Sequence, residues 1–169
     1  MATASSLPLT ARNALLRTIV LGGTLIFIIQ FIHQWIVATL IQGNPFTLVW
    51  QYIASGALGN AAFEGGVTTV LLGLLFHLII SFVIAGVFIL SADRIPLLRR
   101  YAVTGALLYG FGVFIVMNLI VLPLSAAPPL PAPTTPWLIE AVVEHILGIG
   151  LPLGILVRRK ANTSNAFSQ

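Results

Sequence analysis

The sequence predicts an all-α integral membrane protein: a four-helix bundle with a short additional helix between its first two spans. Three observations predict this fold class. Of the 169 residues, 58% are hydrophobic and only 7% are charged, whereas an ordinary soluble domain has about 25% charged residues. Four apolar stretches each have the length of about 20 residues that a bilayer-spanning helix needs. All lysines and arginines lie outside these stretches.

The predicted spans divide the chain into segments of clearly different charge. The four spans comprise residues 18–41, 67–92, 101–124 and 137–157. The basic residues are Arg12 and Arg17 before the first span, Arg94, Arg99 and Arg100 between the second and third, and Arg158, Arg159 and Lys160 after the fourth. Because cytoplasmic flanks are enriched in lysine and arginine, this pattern predicts a multi-pass protein of a cell inner membrane with both termini cytoplasmic. Residues 1–160 form one predicted transmembrane domain, and residues 161–169 are predicted to be a disordered cytoplasmic tail.

The first outer loop is too apolar for a solvated coil and contains a predicted helix over residues 46–58. Pro45 is typical of a helix start, and Gly59 is typical of a helix stop. Trp50 and Tyr52 lie within this segment, and such amphipathic aromatic rings favour the headgroup region of a bilayer. The sequence therefore predicts a short interfacial or re-entrant helix.

The second outer loop is rich in proline. Residues 126–136 include five prolines, which favour the extended polyproline II conformation and exclude a helix through the run. We expect this segment to act as a stiff strap that sets the separation of the third and fourth spans.

Composition excludes several function classes. The chain has no cysteine, which excludes disulfides, thiolate nucleophiles and iron–sulfur clusters. It has no nucleophile elbow, zinc-protease motif or nucleotide-binding loop, so the sequence favours a protein without catalytic activity and leaves the enzyme question open. The basic flanks are accounted for by anionic lipid headgroups, so no nucleic-acid partner is expected. The expected partners are the bilayer and either a second copy of the chain or another membrane protein.

Polar residues inside the predicted spans are the candidate site, because such groups are costly to bury in lipid. At 1.5 Å per residue from the outer boundaries, His33 and His145 lie about 12 Å deep, His77 about 15 Å and Asn118 about 9 Å. Glu144 precedes His145 in the sequence. These five residues from four helices form a predicted polar layer in the outer half of the bundle. Its two interpretations are hydrogen bonding that packs the helices and contact with a small ligand or partner.

Sharper alternatives remain open for the same layer. Two of the three histidines are candidate axial ligands of a b-type haem, which would make the protein a redox membrane protein. A metal site formed by histidines with Glu144 is a further alternative, although no metal-binding motif is present. A proton or solute path would use Glu64, Glu140, Glu144 and His145. A transporter or channel subunit built on that path would need to oligomerise, since four helices enclose little aqueous space.

Several segments carry a resemblance to other proteins. They are AFEGG at residues 62–66 followed by Gly73 and His77, then Tyr109 with Gly110, and MNLIVLPLS at residues 117–125. On these segments the chain resembles an uncharacterised group of small bacterial four-span inner-membrane proteins with no assigned activity. The resemblance covers most of the chain and implies the same four-span topology, but it implies no mechanism.

Overall fold

The computed structural model describes residues 9–166, and the side chains of residues 12–160; the described part of the chain is helical and has no strand. The elements are α1 (Leu9–Gln34), continued by a π-helical segment (Trp35–Ile41); α2 (Phe46–Leu58), continued by a 3-10 helix (Gly59–Phe63); α3 (Gly66–Arg94); α4 (Pro96–Arg100); α5 (Ala102–Val116), continued by a π-helical segment (Met117–Val121) and α6 (Leu122–Leu124); and α7 (Thr135–Glu144), continued by a π-helical segment (His145–Gly150) and α8 (Leu151–Ala166).

Four continuous helices are long and apolar enough to cross a membrane, which confirms the prediction of an all-α chain with four such helices. They are the first span (Arg12–Ile41), the second span (Gly66–Arg94), the third span (Ala102–Leu124) and the fourth span (Thr135–Lys160). Most extend beyond the predicted apolar stretches because helical backbone continues through the flanking polar and basic residues. The helix of the fourth span runs on as far as Ala166. Residues 1–8 of the predicted domain and residues 167–169 of the predicted tail lie outside the described residues.

The spans associate as two helix pairs. In the first pair α1 packs on α3, and in the second α5 packs on the π-helical segment and α8 of the fourth span. Glycine allows the second pair to approach closely, since a side chain at Gly110 would overlap the carbonyl of His145, and one at Gly150 would overlap that of Ala106. Small residues serve this purpose at membrane helix interfaces generally. The buried core between the pairs contains Ile26, Ala85, Phe88, Ile89, Ile149 and Leu153.

One end of the bundle, which we name the basic end, brings the charged flanks together. Asp93 at the end of the second span lies 3.2 Å from Nζ of Lys160 in the fourth span and 3.7 Å from the guanidinium of Arg99. The ends of the second and fourth spans therefore meet through this carboxylate. The opposite end of the bundle, which carries α2 and the proline-rich segment, is the polar end.

The short helix α2 packs across the second span at the polar end. A side chain at Gly73 would overlap the backbone carbonyl of Trp50, so the two helices touch at that glycine. The helix ends at Leu58, and the following Gly59 has a φ of 57°, a left-handed conformation that favours glycine. Its range coincides with the residues for which the sequence predicts a helix.

The proline-rich segment closes the polar end. Residues 127–134 are not helical, and α7 begins at Thr135 with Pro136 in its first turn, where proline is tolerated. The segment is joined to α2 at two points: the amide of Ala126 donates to the carbonyl of Gly56 at 2.9 Å, and the hydroxyl of Tyr52 donates to the carbonyl of Pro128 at 3.3 Å. These bonds hold α2 and the strap together over the ends of the spans.

Candidate functional site

A cavity of about 410 Å³, which we name the polar chamber, lies beneath α2 and the proline-rich segment. It brings together four of the five residues of the predicted polar layer, and Glu140 joins them. Its lining includes His33, Gln42, Tyr52, Phe63, Asn118, Leu130, Trp137, Glu140, Glu144 and His145. The chamber is therefore built from the first, third and fourth spans, from α2 with the 3-10 helix that follows it, and from the proline-rich segment.

Three of the spans have π-helical segments at the polar chamber. His145 begins one such segment, and Asn118 lies within another. The third is Trp35–Ile41, which follows His33 and contributes chamber residues of its own. Segments of π-helix are rare and occur frequently at functional sites. The sequence carries no signal for them, since their residues are as apolar as the rest of the spans.

His33 and Glu140 form a contact between the first and fourth spans. Nε2 of His33 lies 2.6 Å from Oε1 of Glu140, and the two side chains are partly exposed. The sequence analysis named Glu140 only as a member of the alternative proton path, without a partner. The structure supplies that partner from another helix.

Glu144 and His145 form a second pair within the fourth span. Nδ1 of His145 lies 3.0 Å from Oε2 of Glu144 and 2.8 Å from the carbonyl of Ala141. Neighbouring side chains on a helix point about 100° apart, yet both of these residues line the chamber because the carboxylate folds back onto the imidazole. The Glu144 side chain is only 5% exposed. Its second oxygen, Oε1, has no hydrogen-bond partner among the described residues.

His77 lies outside the polar chamber. Its ring packs 5.5 Å from the ring of Phe27 and 5.6 Å from that of Trp50, so aromatic side chains of α1 and α2 surround it. Its Nε2 has no hydrogen-bond partner among the described residues. The predicted layer is thus divided: His77 belongs to an aromatic cluster on the second span, and the other four residues belong to the chamber.

Asn118 connects the chamber to its own helix and to a neighbouring groove. Its Nδ2 donates to the carbonyl of Phe114 at 2.9 Å, and the ring of Phe114 packs edge-on at 5.5 Å against that of His145. Asn118 also lines a larger cavity between the third and fourth spans. Glu64, a member of the alternative proton path, is exposed and lies outside the chamber lining.

Aromatic side chains complete the chamber, and the sequence analysis did not assign them to it. Tyr52, Phe63 and Trp137 come from three separate parts of the chain, and no spacing in the sequence relates them to the polar layer. Burial raises the pKa of the Tyr52 hydroxyl above its ordinary value, because the charged phenolate is poorly solvated there. The prediction of an interfacial aromatic helix was the one signal that pointed towards Tyr52.

The described residues place the candidate ligands of a metal and of a haem differently. Within residues 9–166, no group of three histidine or carboxylate side chains is arranged to hold a metal ion. Of the three candidate haem ligands, only His33 and His145 face the same cavity, and each has one ring nitrogen beside a carboxylate.

Comparison with known proteins adds no assignment to this chamber. The resemblance to bacterial four-span proteins remains a prediction from the sequence. No known protein-family model, curated protein or solved structure matches this chain.

Proposed function

We propose that this chain is a multi-pass membrane protein that binds a small ligand carrying a positively charged or N–H-donating group in the polar chamber. The observation that carries the proposal is the buried, incompletely hydrogen-bonded carboxylate of Glu144. Its side chain is 95% buried and lines the chamber, and its Oε1 accepts no hydrogen bond from the described residues. A buried carboxylate oxygen without a partner is costly, and a donor on a bound ligand would satisfy it.

The bonding pattern of the chamber favours ligand contact over helix packing. A polar layer that serves to pack helices is expected to form hydrogen bonds between them. Among the chamber residues that the sequence predicted, His33 is the one whose polar side-chain contact, with Glu140, joins two spans. The side chains of Asn118, Glu144 and His145 bond within their own helices, which leaves the remaining chamber-facing groups available to a ligand.

The lining favours a cation or a hydrogen-bond donor as the ligand. Two carboxylates, Glu140 and Glu144, line the chamber, and its described lining contains no lysine or arginine. The aromatic rings of Tyr52, Phe63 and Trp137 line the same space, and aromatic faces attract cations within about 6 Å. An anionic ligand would meet the two carboxylates, and the basic side chains of the described lining are His33 and His145, each of which already lies beside one of them.

We further propose an orientation for the chain in a cell inner membrane. Both termini are cytoplasmic, and the polar chamber faces the outer side. The distribution of lysine and arginine supports it. We also propose that α2 is re-entrant, because its Trp50 packs on Gly73, about 10 Å along the second span at 1.5 Å per residue.

The orientation is tested by labelling single cysteines in intact cells, since the chain has none of its own. The variants are Ala132→Cys in the proline-rich segment and Leu97→Cys in α4, both at exposed positions. A membrane-impermeant maleimide should label Ala132→Cys in intact cells and Leu97→Cys only after permeabilisation. The reverse pattern would overturn the orientation.

Ligand binding is tested with radiolabelled n-butylammonium and the protein in lipid nanodiscs. Glu144→Gln and Glu140→Gln should each weaken binding about tenfold or more, because each removes one of the two carboxylate charges that line the chamber. Glu64→Gln is the matched control, since Glu64 lies outside the chamber lining, and it should bind as the unchanged protein does. Thermal unfolding of each variant shows whether it is folded. Equal affinity in all four proteins, or no specific binding in any, would refute the proposal.

The haem alternative is tested on the same preparation by its absorbance spectrum. We expect no Soret band. A stoichiometric band that disappears in His33→Ala or His145→Ala would replace the proposed ligand with haem.

A further inference from the structure

An apolar groove between the third and fourth spans adjoins the polar chamber. The groove has a volume of about 650 Å³ and runs beneath the proline-rich segment. Asn118, Leu130 and Trp137 line both spaces. The chamber and the groove therefore meet at these three residues, which places a ligand in one space beside a ligand group in the other.

The groove differs from the chamber in its chemistry. Its walls include Phe114, Leu119, Leu122, Leu130, Pro133 and Leu138, and it contains no charged residue among those described. Leu119 is 71% exposed and Leu138 is 42% exposed, so the groove is open along the side of the bundle. In a membrane that side faces lipid. A hydrocarbon chain thus has a path from the bilayer into the groove, with its polar end directed at the carboxylates.

We infer that the ligand is an amphiphile drawn from the membrane, with an ammonium head in the polar chamber and a hydrocarbon chain in the apolar groove. This inference rests on the proposed function, whose chamber supplies the site for the head. Charge complementarity favours an ammonium head: Glu140 and Glu144 face it, the described chamber lining has no lysine or arginine to pair with a phosphate, and its two histidines each lie beside one of these carboxylates. A simple long-chain amine fits this lining better than a phosphate-bearing lipid.

The proline-rich segment explains why the groove suits a flexible chain. Proline fixes φ near −65°. The amide of Ala126 and the hydroxyl of Tyr52 also form hydrogen bonds that tie the start of the segment to α2. The groove therefore has a preformed roof, and little order has to be gained in the protein when a chain enters. Preformed sites bind with a smaller entropic cost than sites that must assemble.

The inference is tested by competition against bound radiolabelled n-butylammonium in nanodiscs, with n-dodecylammonium as the competitor. Leu119→Trp places a larger side chain in the groove. Leu108→Trp is the matched control, because Leu108 is on the same span, is 68% exposed and lies outside the groove lining. Both variants expose the competitor to the same bilayer, so partition of its chain into lipid cancels in the comparison. Dodecanoate, with a chain of the same length and an anionic head, is the charge control.

We expect n-dodecylammonium to displace n-butylammonium from the Leu108→Trp variant at about one tenth of the concentration that Leu119→Trp requires. The affinity for n-butylammonium should be equal in the two variants, and dodecanoate should displace it from neither. Equal displacement in the two variants would overturn the inference. If n-butylammonium binding remains sensitive to Glu144→Gln in that case, the proposed function stands without it. If n-butylammonium binding is not sensitive to Glu144→Gln, or if dodecanoate displaces n-butylammonium, both the inference and the proposed preference of the chamber for a cation are overturned.

Discussion

Two glycines leave room for close contacts in this protein. At Gly148, an added Cβ would be 2.6 Å from Oε1 of Glu144, so the missing side chain leaves room for the unpartnered carboxylate oxygen. At Gly73, an added side chain would overlap the carbonyl of Trp50, which cannot move without displacing α2. By contrast, Gly112 in the third span has open space where a Cβ would be placed.

Gly73→Ala should therefore destabilise the protein by about 1–3 kcal/mol, the usual range for overpacking. Gly112→Ala is the control, and we expect it to be neutral or to stabilise by up to about 1 kcal/mol, because alanine is the better helix former. Denaturant unfolding of both variants in the same detergent measures the difference. Equal stability of the two variants would contradict the close contact between α2 and the second span.

At the scale of elements, α2 and the proline-rich segment act as one cover over the polar chamber. Two hydrogen bonds join them: the amide of Ala126 donates to the carbonyl of Gly56, and the hydroxyl of Tyr52 donates to the carbonyl of Pro128. The second bond requires the neutral hydroxyl, because a phenolate has no proton to donate. The stability of the cover therefore depends on the ionisation of one tyrosine.

Tyr52→Phe should destabilise the folded protein by about 0.5–1 kcal/mol near neutral pH, since it removes one long hydrogen bond. Burial raises the pKa of Tyr52 in the folded protein, so the contribution of the hydroxyl is complete below its unfolded pKa of about 10. The contribution is lost as the pH rises through the folded pKa. Unfolding of both proteins as a function of pH measures this change. A difference that grows with alkaline pH would have the wrong sign for this bond.

At the scale of the whole molecule, two helix pairs meet along the fourth span. The first and second spans form one pair with α2, and the third and fourth spans form the other. The pairs touch through α1 and α3 against α8. Side-chain contacts reinforce this junction at both ends, with His33 and Glu140 at the polar end and Asp93 and Lys160 at the basic end. The contact at the polar end also forms part of the chamber wall.

A double-mutant cycle of His33→Ala and Glu140→Gln should give a coupling energy of about 0.6 kcal/mol, the mean for polar pairs between membrane helices. A second cycle of His33→Ala with Glu64→Gln provides the control, because Glu64 lies outside the chamber lining. That second cycle should show no coupling. Thermodynamic unfolding of the single and double variants provides the measurement. Additive effects in the first cycle would show that the contact does not join the two pairs.

The sequence predicted the elements of this fold better than it predicted the site. Long apolar runs must form internally hydrogen-bonded helices in a bilayer, so composition alone determines an all-α chain with four such helices. The short helix after Pro45 and the non-helical proline-rich segment follow from local backbone chemistry. His33, Asn118, Glu144 and His145 were recognised as polar residues at similar depths, because depth depends only on the rise per residue of a helix.

Depth along a helix does not determine which residues meet, and only the tertiary structure decided that. His77 lies at a depth similar to that of the other histidines, yet its ring packs against Phe27 and Trp50 and does not line the chamber. The contact of Glu140 with His33, the place of Tyr52 beside Pro128 and the groove that Asn118 lines depend on how the helices rotate and pack. The sequence by itself determined the helices and their order along the chain, since these follow from local hydropathy and backbone chemistry. The tertiary structure alone decided the chamber, because its walls come from residues far apart in the sequence whose contacts no local rule specifies.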